Sequence, residues 1–392
     1  MNMKYLTIFA FVTSFILPGK IARAQETKLP YGFANCTTRA HDSGYYMRNA
    51  AAFLATARAQ RGLDPQEDFS APYYVRVFIR IVRQDNGTLP GCTVAEALQN
   101  FNEMNVQYSG HNICFQLAGI DFIDDTYLNN FNNSSNLESV YPNYIRNNNL
   151  DVNGAITIFV HYNFLNNSSS SGTAYGIPNN FFSVARWAAT DAGVHSIFGH
   201  EMGHCLGLYH TFEDNLGAEN VTRNASNVCH DCDVDGDLCC DTPADYADSQ
   251  DNTSSTTCNY SGTQTDVCGI RYQPSVSNIM SYQPWECISF SSSALTSNQR
   301  TRMHAAIVDP LGPIFTRVAE DNLVLGSVNA STNAVRLYTA KGNISANAGA
   351  TISHSAASQA YYAAGLSISF GPGTSFTPGA AGVVQASIAG CN

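Results

Sequence analysis

The chain has 392 residues, enough for two domains with cores of ordinary size. Charged residues make up 13% of it, against about 25% in an average soluble protein. The formal charge is −11 and Asn, Ser, Thr, Gly and Tyr are plentiful: an extracellular style of surface, and a poor partner for nucleic acid.

In chain order, Lys4 precedes an apolar run from Tyr5 to Leu17, and Ala22 and Ala24 form a small-x-small cleavage site before Gln25. This pattern marks residues 1–24 as a secretory signal. The run covers 13 residues, short of the roughly 20 that cross a bilayer, and no later segment qualifies as a membrane span. Loss of the signal removes Lys4, Lys20 and Arg23 and moves the charge from −11 to −14. All 12 cysteines lie beyond it, where an oxidising compartment allows disulfides.

Residues 25–70 are polar, with one helical-looking stretch from Tyr46 to Gly62, and read as a separate leader. Strand signals begin where Val75, Val77, Ile79 and Ile81 alternate with Arg76, Phe78 and Arg80. Thr93 and Glu96 fit a capping box, and Val94, Leu98, Phe101 and Met104 recur at helical spacing, so a helix should pack one face on that sheet. Two further alternations, Ile113, Phe115, Leu117 and Ile156, Ile158, Val160, give an α/β or α+β order. Cys92 and Cys114 bracket the helix and could join it to the next strand.

Between Thr211 and Ser277 there is no periodicity, and a loop of that length needs support. Seven cysteines in or just after it (Cys229, Cys232, Cys239, Cys240, Cys258, Cys268, Cys287) offer covalent staples. A short helix then ends at Pro310, closing a domain over residues 71–316. Residues 317–392, rich in Ala, Ser, Gly, Thr and Val with short alternating runs between turns, read as a small all-β domain without a countable repeat.

The chemistry is concentrated in GHEMGHCLGLYHTF, residues 199–212. On a helix, His200 and His204 project from one face a turn apart, so both can reach one cation. Gly207 can take a left-handed backbone and turn the chain so that His210 approaches the same ion. Three imidazoles leave a fourth position open, as in catalytic zinc sites. Glu201 is placed to act as general base on a water there. By average residue usage the full pattern arises by accident in roughly one such chain in 10⁵. The bland alternative is a helix with solvated histidines. Cys205 faces about 100° away from His204 and reads as a buried thiol.

HEMGHCLGLYH has the form H-E-x-x-H-x-x-G-x-x-H, and 70 residues after His210 comes NIMSY, which resembles the Met-turn of the metzincin metalloproteases. Together with HCLGLYHTF, GDLCCDTPAD, TDVCG, CISF…LTSNQRTRM and GTAYGIP, the chain most resembles the pappalysin (cytophagalysin, ulilysin-like) family over roughly residues 70–310. The resemblance implies a metzincin-type α/β catalytic domain with a mixed twisted sheet, an active-site helix and a Met-turn. It implies a zinc endopeptidase acting on protein or peptide substrates, with Met280 beneath the metal and Tyr282 near it. It also implies structural calcium at Asp237 and Thr242. CDVDGDLCCD independently offers Asp233, Asp235, Asp237 and Asp241 as hard oxygen ligands, although no twelfth-position glutamate makes it an EF-hand; an acidic solvated loop is the other reading.

The family pattern would further pair Cys258 with Cys287, and Cys268 with one of Cys229, Cys232 or Cys239. It would make Cys36 a switch that occupies the fourth zinc position in a zymogen, although Thr37 stands where the family has glycine and adjacent Cys239 and Cys240 depart from its segment. The tail resembles small β modules appended to secreted proteins, which implies surface attachment or export. The competing class is a secreted binding or adhesion protein with a vestigial structural zinc site; an intact Glu201 favours the enzyme, because a structural site has no use for a base.

Overall fold

The computed structural model describes residues 35–36, 50, 52, 55, 72–131, 140–164, 170–191, 197–289, 291–380 and 382–388. The expected signal segment and most of the expected leader lie outside the described residues. Within the first part of the chain the strands are β1 (Asn35–Cys36), β2 (Tyr73–Arg83), β3 (Ile113–Asp124), β4 (Asn130–Phe131), β5 (Ile156–His161), β6 (Asn163–Phe164), β7 (Ser170–Ala174) and β8 (Phe181–Ala185). The helices that matter here are α1 (Val94–Tyr108), α2 (Val140–Asn147), α3 (Arg186–Thr190), α4 (Ile197–Cys205) and α5 (Ser297–Val308).

Six strands form one mixed sheet in the order β1-β7-β8-β5-β2-β3, parallel throughout except that β7 runs antiparallel to β8. The expected capping box of Thr93 with Glu96 starts α1, and a second box, Thr296 with Gln299, starts α5. The buried face of α1 is Ala97, Phe101, Met104 and Tyr108, at i, i+4, i+7 and i+11, while Val94 is 40% exposed on the first turn. That face packs with Val75, Val77, Ile79 and Ile81 of β2 and with α4 into the main core. The opposite face of β2 is not solvated as its arginines suggest. Phe78 is fully buried and Arg80 nearly so, because a second body covers them.

That body is the C-terminal region. Its strands are β9 (Leu323–Leu325), β10 (Val328–Ala330), β11 (Val335–Ala340), β12 (Asn343–Ala346), β13 (Ile352–Ala356), β14 (Gln359–Ala364), β15 (Ser367–Ser369), β16 (Ser375–Pro378) and β17 (Val383–Ile388). They form three three-stranded sheets, β15-β12-β9, β10-β13-β16 and β11-β14-β17, all parallel. Val335, Gln359 and Val383 stand in register, 24 residues apart at each step. The region is a three-sided solenoid of three coils, filled by Leu325, Ile344, Ile352, Tyr362 and alanines. An internal repeat is therefore present where the sequence reading counts none. Val328 with Ile352 and Asn343 with Ser367 keep the 24-residue step, but Leu323 with Ile344 and Ser353 with Ser375 are offset by 21 and 22 residues, so no strict period runs through the whole region.

The solenoid is seated on the sheet. Tyr361 of β14 stands edge-on to Phe78 at 4.9 Å, and a methyl group at Gly119 of β3 would lie 2.5 Å from its ring. Gln116 donates through Nε2 to the carbonyls of Ala340 (2.9 Å) and Ala363 (3.3 Å), which ties β3 to both solenoid strands. Between the two bodies of secondary structure, residues 211–289 contain one 3₁₀ turn, Ser249–Asn252, and no longer helix or strand. The bridges Cys229–Cys268, Cys232–Cys240 and Cys258–Cys287 staple this region. The Cys92–Cys114 link does not form: Cys92 is a buried free thiol, while Cys114 is disulfide-bonded elsewhere. No helix among the described residues is long and apolar enough to cross a membrane.

Because Tyr361 fills a space bounded by Phe78 and Gly119, Tyr361→Ala should lower the stability of the sheet by about 3 to 5 kcal/mol, the range for large aromatic truncations. Urea unfolding followed through the two tryptophans, Trp187 and Trp285, neither of which is in the solenoid, measures this. An unchanged midpoint would show that the solenoid does not support the sheet.

Candidate metal centre

Helix α4 carries His200, Glu201 and His204, all fully or almost fully buried. The helix ends in a Schellman closure: Gly207, at φ +94°, donates its N–H to the His204 carbonyl, and Leu208 donates to Gly203, each at 2.9 Å. Only a residue without Cβ takes this backbone at low cost. The reversal carries His210 back to the face from which His200 and His204 project, and it frees the Leu208 carbonyl to accept from His204 Nδ1 at 2.8 Å.

His200 Nδ1 donates likewise to the Ile279 carbonyl at 2.7 Å. A carbonyl only accepts, so in both rings Nδ1 holds the proton and Nε2 presents a lone pair. The His204 Nε2 lies 3.2 Å from His200 Nε2 and 3.1 Å from His210 Nε2. Lone pairs at that separation repel one another unless a cation lies between them. Tetrahedral zinc at about 2.0–2.1 Å from each nitrogen would set them about 3.3 Å apart. The donor set therefore fits a zinc-sized ion. Burial pushes the His200 imidazole down to about 4 and those of His204 and His210 further down, so all three are neutral ligands at pH 7.

Glu201 points to the other side of the helix turn, toward strand β7. A methyl group at Gly172 would lie 2.6 Å from Glu201 Oε1, so the absence of a side chain at 172 makes room for the carboxylate. Met280 is fully buried, its sulfur against Gly203 on the underside of α4. Its N–H donates to Asn278 Oδ1 at 2.9 Å, and Asn278 in turn donates to Gln299 of the α5 capping box. Tyr282 is half-buried, with its ring 4.9 Å from His210 and 6.0 Å from His200. Phe212 stacks on His210 at 4.8 Å, within 8° of parallel. Tyr108 donates to the Gly199 carbonyl at 2.7 Å and fixes the first turn of α4.

Of the other expected site residues, the backbone of Cys36 in β1 pairs with Gly172. Asp237 and Thr242 are buried side by side in the stapled loop, where the Thr242 hydroxyl donates to the Asp237 carboxylate. A third residue there, Glu219, escaped the sequence reading: its carboxylate is 1% exposed and packs against Gly236. Burial first, then Asp237, pushes Glu219 up to about 9; burial also raises Asp237, to about 7, against the opposing pull of Arg302. Asp233, Asp235 and Asp241 are not among the buried residues.

Residues 94–211, from α1 through the residue after His210, match the family model of the reprolysin-like metallopeptidases, family M12B. Among solved structures, the chain is similar to mature mirolysin of Tannerella forsythia in complex with a cleaved peptide, at 16% identity over 62% of this chain and 94% of that one, TM-score 0.43. It is similar to promirolysin of the same organism at 15% identity, over 63% and 84%, TM-score 0.43. Metalloproteinase-II from Bacteroides fragilis aligns at 14% identity over 45% and 53%, TM-score 0.26. Comparison with curated protein sequences gives no match. The chain thus carries a reprolysin-like metallopeptidase region, and the three converging histidines lie within it.

Proposed function

We propose that this protein is a secreted zinc endopeptidase of the pappalysin type, made as a zymogen. The observation that carries the reading is the convergence of three imidazole lone pairs beside a buried glutamate. His200, His204 and His210 would hold the ion, which when bound supplies Lewis acidity to water and to the scissile carbonyl. With β1 displaced, strand β7 aligns an extended peptide along the backbone groups that β1 now pairs with, as edge strands do. Glu201 accepts a proton from the attacking water as the new carbon–oxygen bond forms. It then delivers that proton to the nitrogen as the carbon–nitrogen bond breaks. Tyr282 donates its hydroxyl proton in a hydrogen bond to the developing oxyanion. Met280 supports the helix turn from below.

Secretion is supported by the three disulfides together with the signal pattern of residues 1–24. The zymogen reading rests on β1. Asn35 and Cys36 pair in parallel with Ser170 and Gly172, on the edge that a substrate would need and opposite the glycine that makes room for Glu201. For calcium, the support is a pair of buried carboxylates, Asp237 and Glu219, with Thr242 beside them. Glu219 Oε2 and Asp237 Oδ2 are buried without a hydrogen-bond partner, while Arg223 pairs with Glu219 Oε1 at 2.8 Å, and a hard cation would stabilise the ionised forms of both acids.

Four outcomes are expected. Wild-type protein freed of its leader should cleave peptides, lose the activity on zinc chelation and regain it with zinc. Glu201→Gln should lower kcat by about 10³-fold or more, as expected for a base that also serves as acid; equal cleavage by both proteins would end the proposed mechanism. Unprocessed protein should be silent, and Cys36→Ala should raise its basal cleavage, whereas full activity of the unprocessed wild type would dismiss the zymogen. Calcium should raise the melting temperature of wild type but not of Asp237→Ala, and a melt indifferent to calcium would remove that ion from the reading.

A further inference from the structure

One buried carboxylate outside the histidine cluster is bonded to both halves of it. Asp245 lies in the stapled loop, 4% exposed. Its Oδ2 accepts from the Thr211 hydroxyl at 2.8 Å and from the Ser281 hydroxyl at 3.0 Å. Its Oδ1 accepts from the Tyr246 N–H at 2.8 Å. The Ser249 hydroxyl also donates to this carboxylate, and Ser249 in turn accepts from Gln283 Nε2 at 2.8 Å. Thr211 follows His210 directly, whereas Ser281 and Gln283 flank Tyr282 on either side.

A hydroxyl has one proton to donate, and Thr211 and Ser281 both spend theirs on the same oxygen. That oxygen is therefore a common reference for two segments whose backbones also meet through the Thr211 N–H to Met280 carbonyl bond at 3.2 Å. Neither segment is helix or strand, so neither can hold its own side chains in place through a regular hydrogen-bond ladder.

We propose that Asp245 is a positioning residue that fixes His210 and Tyr282 relative to each other and to the metal position. The inference rests on the zinc-peptidase reading for its effect on turnover, but its effect on metal binding does not require turnover. An uncharged amide at this position keeps the volume but has one accepting oxygen instead of two. Its NH₂ group must face a donor, either the Tyr246 N–H or the two hydroxyls. His210 then samples orientations that point its lone pair away from the other two.

The test compares full-length, leader-processed wild type with Asp245→Asn and Ser281→Ala, which removes a single limb of the network. Ile145→Ala, in the core cluster around α2 that does not contain the histidines, serves as a control for destabilisation alone. Zinc affinity is measured by competition with a chromophoric chelator, and the visible spectrum of the cobalt-substituted protein reports ligand geometry. Asp245→Asn should bind zinc about 10-fold or more weakly, within the range known for residues behind metal ligands. It should also shift the cobalt spectrum and lower kcat with KM nearly unchanged. Ser281→Ala should move the same quantities in the same direction by less, and it serves where Asp245→Asn fails to fold. Ile145→Ala should lower the melting temperature and leave the metal readouts alone. Wild-type zinc affinity and an unshifted cobalt spectrum in folded Asp245→Asn would overturn the proposal, as would an equal loss in Ile145→Ala. A wild type that binds zinc but cleaves nothing overturns the peptidase reading while the metal readouts still judge Asp245; a wild type that takes up no metal overturns both.

Discussion

The arrangement depends on mutual repulsion held in check. Two carbonyl oxygens, those of Ile279 and Leu208, fix the protons of His200 and His204 on Nδ1 and so force both Nε2 lone pairs, with that of His210, into one small volume. Such a placement costs free energy in the absence of a cation, and burial adds to the cost by disfavouring the imidazolium form that would otherwise relieve it. The fold absorbs this because the three rings sit on segments locked for other reasons. Helix α4 is packed into the main core, its C-terminal reversal is closed by two backbone bonds, and the Met-turn is tied to α5 through Asn278 and Gln299.

A long stretch of chain with almost no regular structure adjoins this centre, which is unusual for a site that demands fixed geometry. The disulfides explain how it is tolerated. Their loops span 39, 8 and 29 residues, and loop-closure entropy then gives about 2.5 to 4 kcal/mol per bridge. Polar groups inside the stapled region are used in place of a core: Asp245 collects four donors, Asp266 Oδ1 accepts from the N–H groups of Cys268 and Ile270, and Arg302 reaches from α5 to the Gly207 carbonyl at 2.9 Å while lying 4.7 Å from the Tyr209 ring. The Asp245 and Arg302 bonds end within a few residues of a site histidine or of Tyr282, while Asp266 holds its own turn, so covalent and polar links together substitute for secondary structure.

The sequence speaks clearly where one local rule decides the outcome. The spacing of His200, His204, Gly207 and His210 is legible because helix geometry and one left-handed glycine dictate where those side chains go. The Thr93–Glu96 capping box and the alternation in β2 are legible for the same reason. What depends on partners distant in sequence is not. Phe78 and Arg80 look solvent-facing until the solenoid is placed over them, and the solenoid itself is hidden because its coils are held together by parallel backbone pairing rather than by a recurrent motif. Glu219 and Asp245 escaped notice because no spacing marks a carboxylate whose partners lie dozens of residues away, as Asp245 and Thr211 do at a separation of 34. The Cys92–Cys114 expectation failed on the same ground, since bracketing a helix in sequence says nothing about where the sulfurs face.

Gly172 links these levels in one position. It belongs to β7, which runs antiparallel to β8 on one side and is paired on its outer side by the two-residue strand β1. On that edge sits Cys36, and in the space its missing side chain leaves sits the carboxylate of Glu201. An alanine here would press on the glutamate, while a peptide pairing with the same backbone must first displace β1. Under the proposed reading, leader and substrate therefore exclude one another through shared hydrogen-bonding groups, and the residue that permits the base to approach also defines where the two compete. Sequence marks this glycine only as the start of the GTAYGIP motif; the constraint exists because strand β7 and a helix face meet there without room for a methyl group.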